Sequence, residues 1–422
     1  MVQRYYIETL GCPKNQVDSD KIAGKLIADG LVATEDASKA DVVVVNTCAF
    51  IEEARKESIE TMLSLDDTRK RSSRLIVTGC MAERYGDELA EALPEADQVA
   101  GFGVPLQLTR KPIAVTGEIP KFDLLNLPRP KSTSPWAYVK IAEGCDRSCG
   151  FCAIPSFRGP QRSRDVASIL TEVEQLEVRE VVLIAQDLAS YGKDRPDELG
   201  AGSIVQLVRD VAAMADWVRL LYLYPSDLSD ELIDAILDTG VPYFDLSLQH
   251  ASKEHLRRMK RWGDGPRFLE RIARIRTLSP DAAFRSNFIV GYPGETEEDH
   301  DQLLSFVRDA QLDWCGFFAF SPEDGTHALT LPNRVEEGLM NERLAELREL
   351  QDNISAERRD LLLGETIEVL VDEPGIARSF REAPEIDGVV QVPEHLEVGR
   401  FHTVVVDQVF GPDLIAVEAP GK

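Results

Sequence analysis

Apolar residues arrive in two rhythms along this chain, and the change of rhythm divides it. From residue 5 to about 104, continuous apolar runs alternate with amphipathic stretches. YYIETLG, ADVVVVN (40–46) and 74–78 read as buried strands, with helices over 18–29, 52–65 and 86–93. Strands apolar at every position, separated by helices, predict a parallel sheet covered on both faces. Residues 119–135, ending KFDLLNLPRPKSTSP, are rich in Pro and polar residues and read as a linker.

The βα rhythm resumes at AYVKIAEG and repeats about six times. Strands are predicted over 138–142, 180–185, 218–224, 243–249, 285–290 and 313–320, with helices such as 203–214, 229–238, 265–278 and 297–310 between them. Such a run suits a partial or full (β/α) barrel better than an open doubly wound sheet. A long polar helix over 334–363 follows. Then the period drops to two: GETIEVLVD, GIARSF, GVVQV, RFHTVVVDQV and DLIAVEA are short strands separated by Gly and Pro turns. They predict a small antiparallel β-barrel. The fold class is therefore α/β with a terminal β-barrel. Its expected divisions are 2–115, a linker at 116–130, 131–362 and 363–422.

At 422 residues and 43 % hydrophobic content, the chain has the material for roughly three packed domains. The first twenty residues lack an apolar h-region, and no window approaches ~18 consecutive apolar residues. A cytoplasmic protein with no membrane span is expected. Seven cysteines without an export signal favour metal binding or catalysis over a disulfide framework. Lys plus Arg number 47 against 73 Asp plus Glu, a formal charge of −26. Binders of nucleic acid usually show a basic footprint. This balance points to a basic partner, or simply to solubility. Residues 364–422 alone carry 12 acidic and 4 basic side chains. RKRSSR (69–74) reads as a solvated basic patch.

Cys12, Cys48 and Cys80 each fall just past a predicted strand, in YIETLGC, VVVVNTC and LIVTGC, and each precedes a predicted helix. In a parallel sheet such turns share one edge, where ligands bind. Helix N-termini there favour thiolates. One such cysteine would be ordinary core. Three in equivalent places argue for a shared metal or cluster site. The second set, EGCDRSCGFCAIP, spaces Cys145, Cys149 and Cys152 as C-x3-C-x2-C. A structural zinc site needs four ligands, and the nearest histidine is His250. An iron–sulfur cube usually takes four cysteines, so three leave one iron open. The loop follows the first strand of the βα array, at the end where such folds do chemistry.

With Phe151 between its last two cysteines, this motif resembles the radical S-adenosylmethionine (SAM) superfamily. The resemblance implies a (β/α)6 partial TIM barrel. It also implies a 4Fe–4S cluster on Cys145, Cys149 and Cys152, whose open iron chelates SAM for reductive cleavage to methionine and a 5′-deoxyadenosyl radical. The whole layout is similar to the methylthiotransferases, and the last barrel to a TRAM domain. The match is carried by TLGCPKNQVDSD, ADVVVVNTCAFIEEARKES, VTGCMAERY, YVKIAEGCDRSCGFCAIPSFRGPQRSR, VLIAQDLASYG and APEIDG, across essentially the entire chain. In that family Cys12, Cys48 and Cys80 would hold an auxiliary 4Fe–4S cluster. Members acting on tRNA carry a GCQMN-like first motif. Gly11-Cys12-Pro13-Lys14-Asn15 is the form of members that modify an aspartate of small-subunit ribosomal protein S-twelve.

The implied reaction places a methylthio group on the aspartate β-carbon, using SAM both as radical source and as methyl donor. No general base removes such a hydrogen at neutral pH, whereas a carbon radical does. The implied partners are the basic protein S-twelve and an electron donor such as flavodoxin or ferredoxin, with no stable nucleic-acid binding except through the ribosome. The alternatives are the same chemistry on tRNA adenosine, or a non-catalytic iron–sulfur or zinc module. Gln186 and Asp187, after the second barrel strand, are candidate SAM contacts or simply cap the next helix, and Gln249, ending the fourth, is a candidate contact to the ribose or methionine moiety. The glycines of IVGYPGET (289–296) would allow close approach of the adenosyl part or simply make a turn. Arg158, Arg162 and Arg164 would pair with a substrate carboxylate or form surface salt bridges. Cys315 reads as core, and the six histidines show no ligand spacing.

Overall fold

A computed structural model describes residues 2–106, 123–200 and 202–419. The chain divides into two compact units. The first is Met1–Lys131 with Ala142–Asp146 and Ala153–Arg164; the second is Ser132–Ile141, Arg147–Cys152 and Asp165–Lys422.

The first unit is built on β1 (Arg4–Thr9), α1 (Pro13–Ala28), β2 (Val32–Ala33), β3 (Val42–Thr47), α2 (Glu52–Thr68), β4 (Arg74–Gly79), α3 (Cys80–Ala92) and β5 (Gln98–Ala100). The five strands are all parallel, in the order β2-β1-β3-β4-β5. Every residue of β3 and β4 is buried, as their unbroken apolar runs require. The order reverses between β1 and β3, and a parallel sheet binds ligands at such a switch point, beyond the strands' C-terminal ends. Two helices begin earlier than their periodicity predicts. Pro13 occupies the first turn of α1, where its missing N–H costs nothing, and the polar PKNQ hides that turn from a hydrophobic period. A break at Gly86 (φ 36°, ψ −108°) shifts the phase of α3, leaving only its second half legible. Of the expected linker, 116–122 lies outside the described residues. Its remainder packs on α1: Leu124 and Leu125 are buried, and Arg129 pairs with Asp20 at 3.2 Å. Arg69 and Arg74 are not a solvated patch. Arg69 bonds Asp66, Asp97 and the Glu95 carbonyl, and Arg74 is buried at the start of β4.

The second unit carries β6 (Trp136–Lys140), α4 (Val166–Leu176), β7 (Glu180–Ile184), α5 (Ser203–Ala212), β8 (Trp217–Leu220), α6 (Asp230–Leu237), β9 (Tyr243–Gln249), α7 (Gly265–Leu278), β10 (Ala283–Val290), α8 (Glu297–Ala310), β11 (Trp314–Ala319) and α9 (Glu337–Asp360). β6, β7 and β8 pair in parallel, as do β9, β10 and β11. One parallel bridge, Leu223 to Leu246, joins the third strand's end to the fourth, so the six follow chain order. This is the partial (β/α)6 barrel that the radical SAM resemblance implies, where the period by itself left a partial or a full barrel open.

Five strands then close a small barrel: β12 (Thr366–Glu373), β13 (Ile376–Arg378), β14 (Val390–Gln391), β15 (Phe401–Phe410) and β16 (Asp413–Glu418). Its core is aliphatic, with Val369, Val371, Val390, Val404 and Leu414 fully buried. Four pairings are antiparallel, but β14 and β16 run parallel, because the β15–β16 hairpin returns alongside β14 in the same direction. The segment after β13, which contains APEIDG, docks on residues at or near the N-terminal ends of β6–β11. Tyr138 donates to the Pro384 carbonyl (2.9 Å), Tyr243 to Asp387 (2.6 Å) and Trp314 to the Arg381 carbonyl (2.7 Å). It therefore covers the end of the partial barrel opposite the cysteine-bearing loop.

Candidate metal centres

In the first unit, Cys12 caps the N-terminus of α1, Cys48 follows β3 and Cys80 opens α3. All seven cysteines are free of disulfides. The three converge at the switch point. A Cβ built on Gly11 would lie 2.8 Å from Cys48 Cβ and 2.9 Å from its Sγ. One on Gly79 would meet Asn46 Oδ1 at 2.3 Å and Thr47 O at 2.5 Å. Asn15, fully buried, donates to the carbonyls of Leu10 (2.7 Å) and Thr47 (3.0 Å), tying the turns after β1 and β3 together.

The three thiols differ in acidity. Burial works to raise Cys12, but the Lys14 ammonium, the Arg158 guanidinium and the Asn15 and Lys14 amides outweigh it and lower the thiol. Burial, then the Cys80 sulfur, push Cys48 up to about 12. Cys80 is raised by burial, partly offset by Arg158. Arg158 Nη2 donates to Cys80 Sγ (3.1 Å) and Asn15 Oδ1 (2.8 Å), and its Nη1 to Glu143 Oε1 (2.9 Å). The same unit holds Cys145, whose N–H donates to the Gly159 carbonyl (3.1 Å). There Gly144 takes φ +80°, because a Cβ would strike the Pro160 carbonyl.

In the second unit, Cys149 and Cys152 share a turn, with Cys152 N–H donating to Cys149 O at 3.2 Å. Gly150 between them donates to Met259 O (2.7 Å), and its carbonyl accepts from Ala328 N–H (2.7 Å). A Cβ on Gly150 would come within 2.6 Å of the Tyr292 hydroxyl. Arg261 Nη1 donates to Cys149 Sγ at 3.2 Å. Arg147, inside the motif, donates to Asp187 Oδ2 (2.5 Å), Ser190 Oγ (3.0 Å) and Asp227, and lies 3.9 Å over the Tyr224 ring.

Three family descriptions match in series. Residues 4–101 match Uncharacterized protein family UPF0004, residues 139–307 the Radical SAM superfamily and residues 363–418 the TRAM domain. The chain is 41 % identical to "Ribosomal protein uS12 methylthiotransferase RimO" of Moorella thermoacetica, covering 96 % of this chain and 97 % of that protein. It is 40 % identical to the protein of the same name from Streptomyces avermitilis (98 % and 96 % covered) and 39 % identical to that of Synechocystis (98 % and 97 %). The chain belongs to the RimO family of radical SAM methylthiotransferases. It is therefore an enzyme whose radical SAM domain implies a 4Fe–4S cluster and SAM.

The surroundings of Cys12, Cys48 and Cys80 in the first unit are compatible with such a cluster, and so are those of Cys149 and Cys152 in the second. Each has unbridged thiols, glycine positions too close for a Cβ, and an arginine donating to one sulfur, which offsets thiolate charge. Of the candidate SAM contacts, Asp187 is buried and accepts at Oδ2 from Arg147, while its Oδ1 has no hydrogen-bond partner among the described residues. Gln186 lies beside it, just past β7. Gln249 ends β9 at φ 73°, an uncommon conformation for a residue other than glycine. The space beside the glycines of 289–296 is already filled, by Met340 at Gly291 and Arg258 at Gly294.

The three arginines after the motif part company. Arg162 meets Asp123 on the surface, and Arg164 bonds Asn126. Arg158 does neither of the things its sequence position suggests, being buried against Cys80. Cys315 is half-buried in β11, and burial raises its thiol. Contrary to their sequence spacing, His250 and His255 come together with Glu295, their ligating atoms within 4.8 Å. Yet Glu295 already accepts from Gly291 N–H and Arg343, and His250 Nδ1 from Ser252 N–H, so the group reads as buried polar core. Arg147 and Arg261 were missed by the sequence reading. Arg147 stood in plain view between two motif cysteines, whereas nothing local marks Arg261, 112 residues from Cys149.

Proposed function

We propose that this enzyme methylthiolates the β-carbon of an aspartate in ribosomal protein uS12. In this reading Cys145, Cys149 and Cys152 hold one 4Fe–4S cluster and Cys12, Cys48 and Cys80 a second. The observation that carries it is identity of 39–41 % sustained over 96–98 % of the chain to proteins named as uS12 methylthiotransferases. When bound, the first cluster would supply the electron for reductive cleavage of SAM to methionine and a 5′-deoxyadenosyl radical, and the second would supply a binding place for the sulfur to be transferred. The chain's own residues arrange the site. Asp187 and Asp227 clamp Arg147 and with it the motif loop, and Arg261 offsets the Cys149 thiolate. Gln186, Asp187 Oδ1 and Gln249 would meet the polar groups of SAM, a reading supported by their place at the strands' C-terminal ends, where this architecture works. The acidic barrel favours a basic protein over tRNA through complementary charge. A flavodoxin or ferredoxin would deliver the electron, in the cytoplasm where uS12 is assembled.

The test incubates anaerobically reconstituted enzyme, SAM, sulfide and a reductant with either uS12 or tRNA and weighs the products. A methylthio mass gain on uS12 alone is expected. A gain on tRNA alone overturns the choice of substrate.

A further inference from the structure

Arg158 is a buried cation whose surroundings exceed what charge burial requires. Its side chain is 2 % exposed, and Nη1 faces two carboxylates, Glu143 Oε1 at 2.9 Å and Asp18 Oδ2 at 3.4 Å. Either would offset its charge. The other amino group turns away from both, to Asn15 Oδ1 (2.8 Å) and Cys80 Sγ (3.1 Å). Asn15 fixes that direction, since its amide nitrogen is committed to the Leu10 and Thr47 carbonyls and only its oxygen can face the guanidinium. The Phe102 ring lies 4.3 Å from Arg158 Cζ and shields it from water. The planar fork is thus locked with one prong on the acids and one on a cysteine of the Cys12–Cys48–Cys80 set.

We infer that Arg158 is a positioning and charge-balancing residue for the second cluster, holding its reduction potential up. The inference rests on the reading that those three cysteines carry a cluster. The physical argument is short. Hydrogen bonds to ligand sulfurs and nearby positive charge favour the more reduced, more negative state of an iron–sulfur centre. Burial removes the screening that would weaken the effect. Without Arg158, Asp18 and Glu143 would lose its positive charge from their surroundings and lower the potential further. Arg158 is also six residues beyond Cys152 in sequence, so the segment that completes the SAM motif contributes a contact to the other cysteine set.

The test uses the full chain carrying Cys145→Ala, Cys149→Ala and Cys152→Ala, reconstituted anaerobically, so that only the second set can load. Roughly four irons per chain are expected in this parent. Absence of iron overturns the ligand reading itself, before Arg158 is touched. Arg158→Gln and Arg158→Lys are then added, and the midpoint potential is followed by electron paramagnetic resonance. The expected result is a lower potential for the Gln variant, with the Lys variant nearer the parent because it keeps the charge while losing the fork. Loss of iron from the Gln variant with retention in the Lys variant also supports the charge role. Equal potentials in all three chains, or loss of iron from both variants alike, overturns it: the first makes the contact irrelevant to the cluster, the second makes it a matter of shape.

Discussion

At the scale of single residues, the Cys12–Cys48–Cys80 site is shaped as much by missing side chains as by those present. Gly11 takes φ +97° and lies where a Cβ would touch Cys48, so Gly11→Ala strains the backbone and displaces Cys48 at once. Iron is expected to fall from roughly eight per chain to roughly four, with SAM cleavage intact, read by iron analysis beside a cleavage assay. The same scale governs the buried histidines. Burial holds His255 down to about 4 and His250 well below its usual value, so both stay neutral in the fold. Their folded values lie below the unfolded value of 6.5, so the stability they carry is complete above pH 6.5. It is lost as pH falls from 6.5 towards about 4, where the unfolded chain binds protons that the fold refuses. His255→Leu should flatten the pH dependence of the melting temperature across that window, by up to ~3 kcal/mol of stability.

At the scale of elements, the sequence disclosed what periodicity encodes and concealed what depends on distant partners. The six strands of the partial barrel and the all-buried β3 and β4 were legible because continuous apolar runs have few other uses. The starts of α1 and α3 were not, because the first turn of α1 is polar and Gly86 breaks the phase of α3. The gathering of Cys12, Cys48 and Cys80 at one edge of the sheet was legible from their places after three strands, whereas Arg158 and Arg261 acquire their sulfur contacts only from folded neighbours. The docking of APEIDG on the barrel's far end was equally hidden. It turns on Glu180, fully buried at the start of β7, which binds Arg219 and Arg378 at 2.7 Å each. Those two cations overcome the effect of burial and keep the Glu180 carboxyl below its usual range. Glu180→Leu removes the carboxylate that Arg219 holds and one of the two that Arg378 holds, the other being Asp372, and should cost roughly 3–5 kcal/mol in urea unfolding followed by circular dichroism. Arg162→Ala, which breaks a surface pair with Asp123, should change stability by less than about 1 kcal/mol.

At the scale of the whole molecule, no helix among the described residues is long and apolar enough to cross a membrane, and the formal charge is −26. Such a surface draws a basic partner by long-range attraction that salt screens. Association with uS12 should therefore slow several-fold as ionic strength rises from ~0.05 to ~0.5 M in stopped-flow binding, with a smaller change in dissociation. The account as a whole depends on a division of labour between two three-cysteine sets. Its most direct test compares Cys145→Ala with Cys12→Ala in parallel assays of SAM cleavage and uS12 methylthiolation. Cys145→Ala should lose both, and Cys12→Ala should retain cleavage while forming no methylthiolated uS12. Full methylthiolation by the Cys12→Ala enzyme, or undiminished SAM cleavage by Cys145→Ala, would contradict the account.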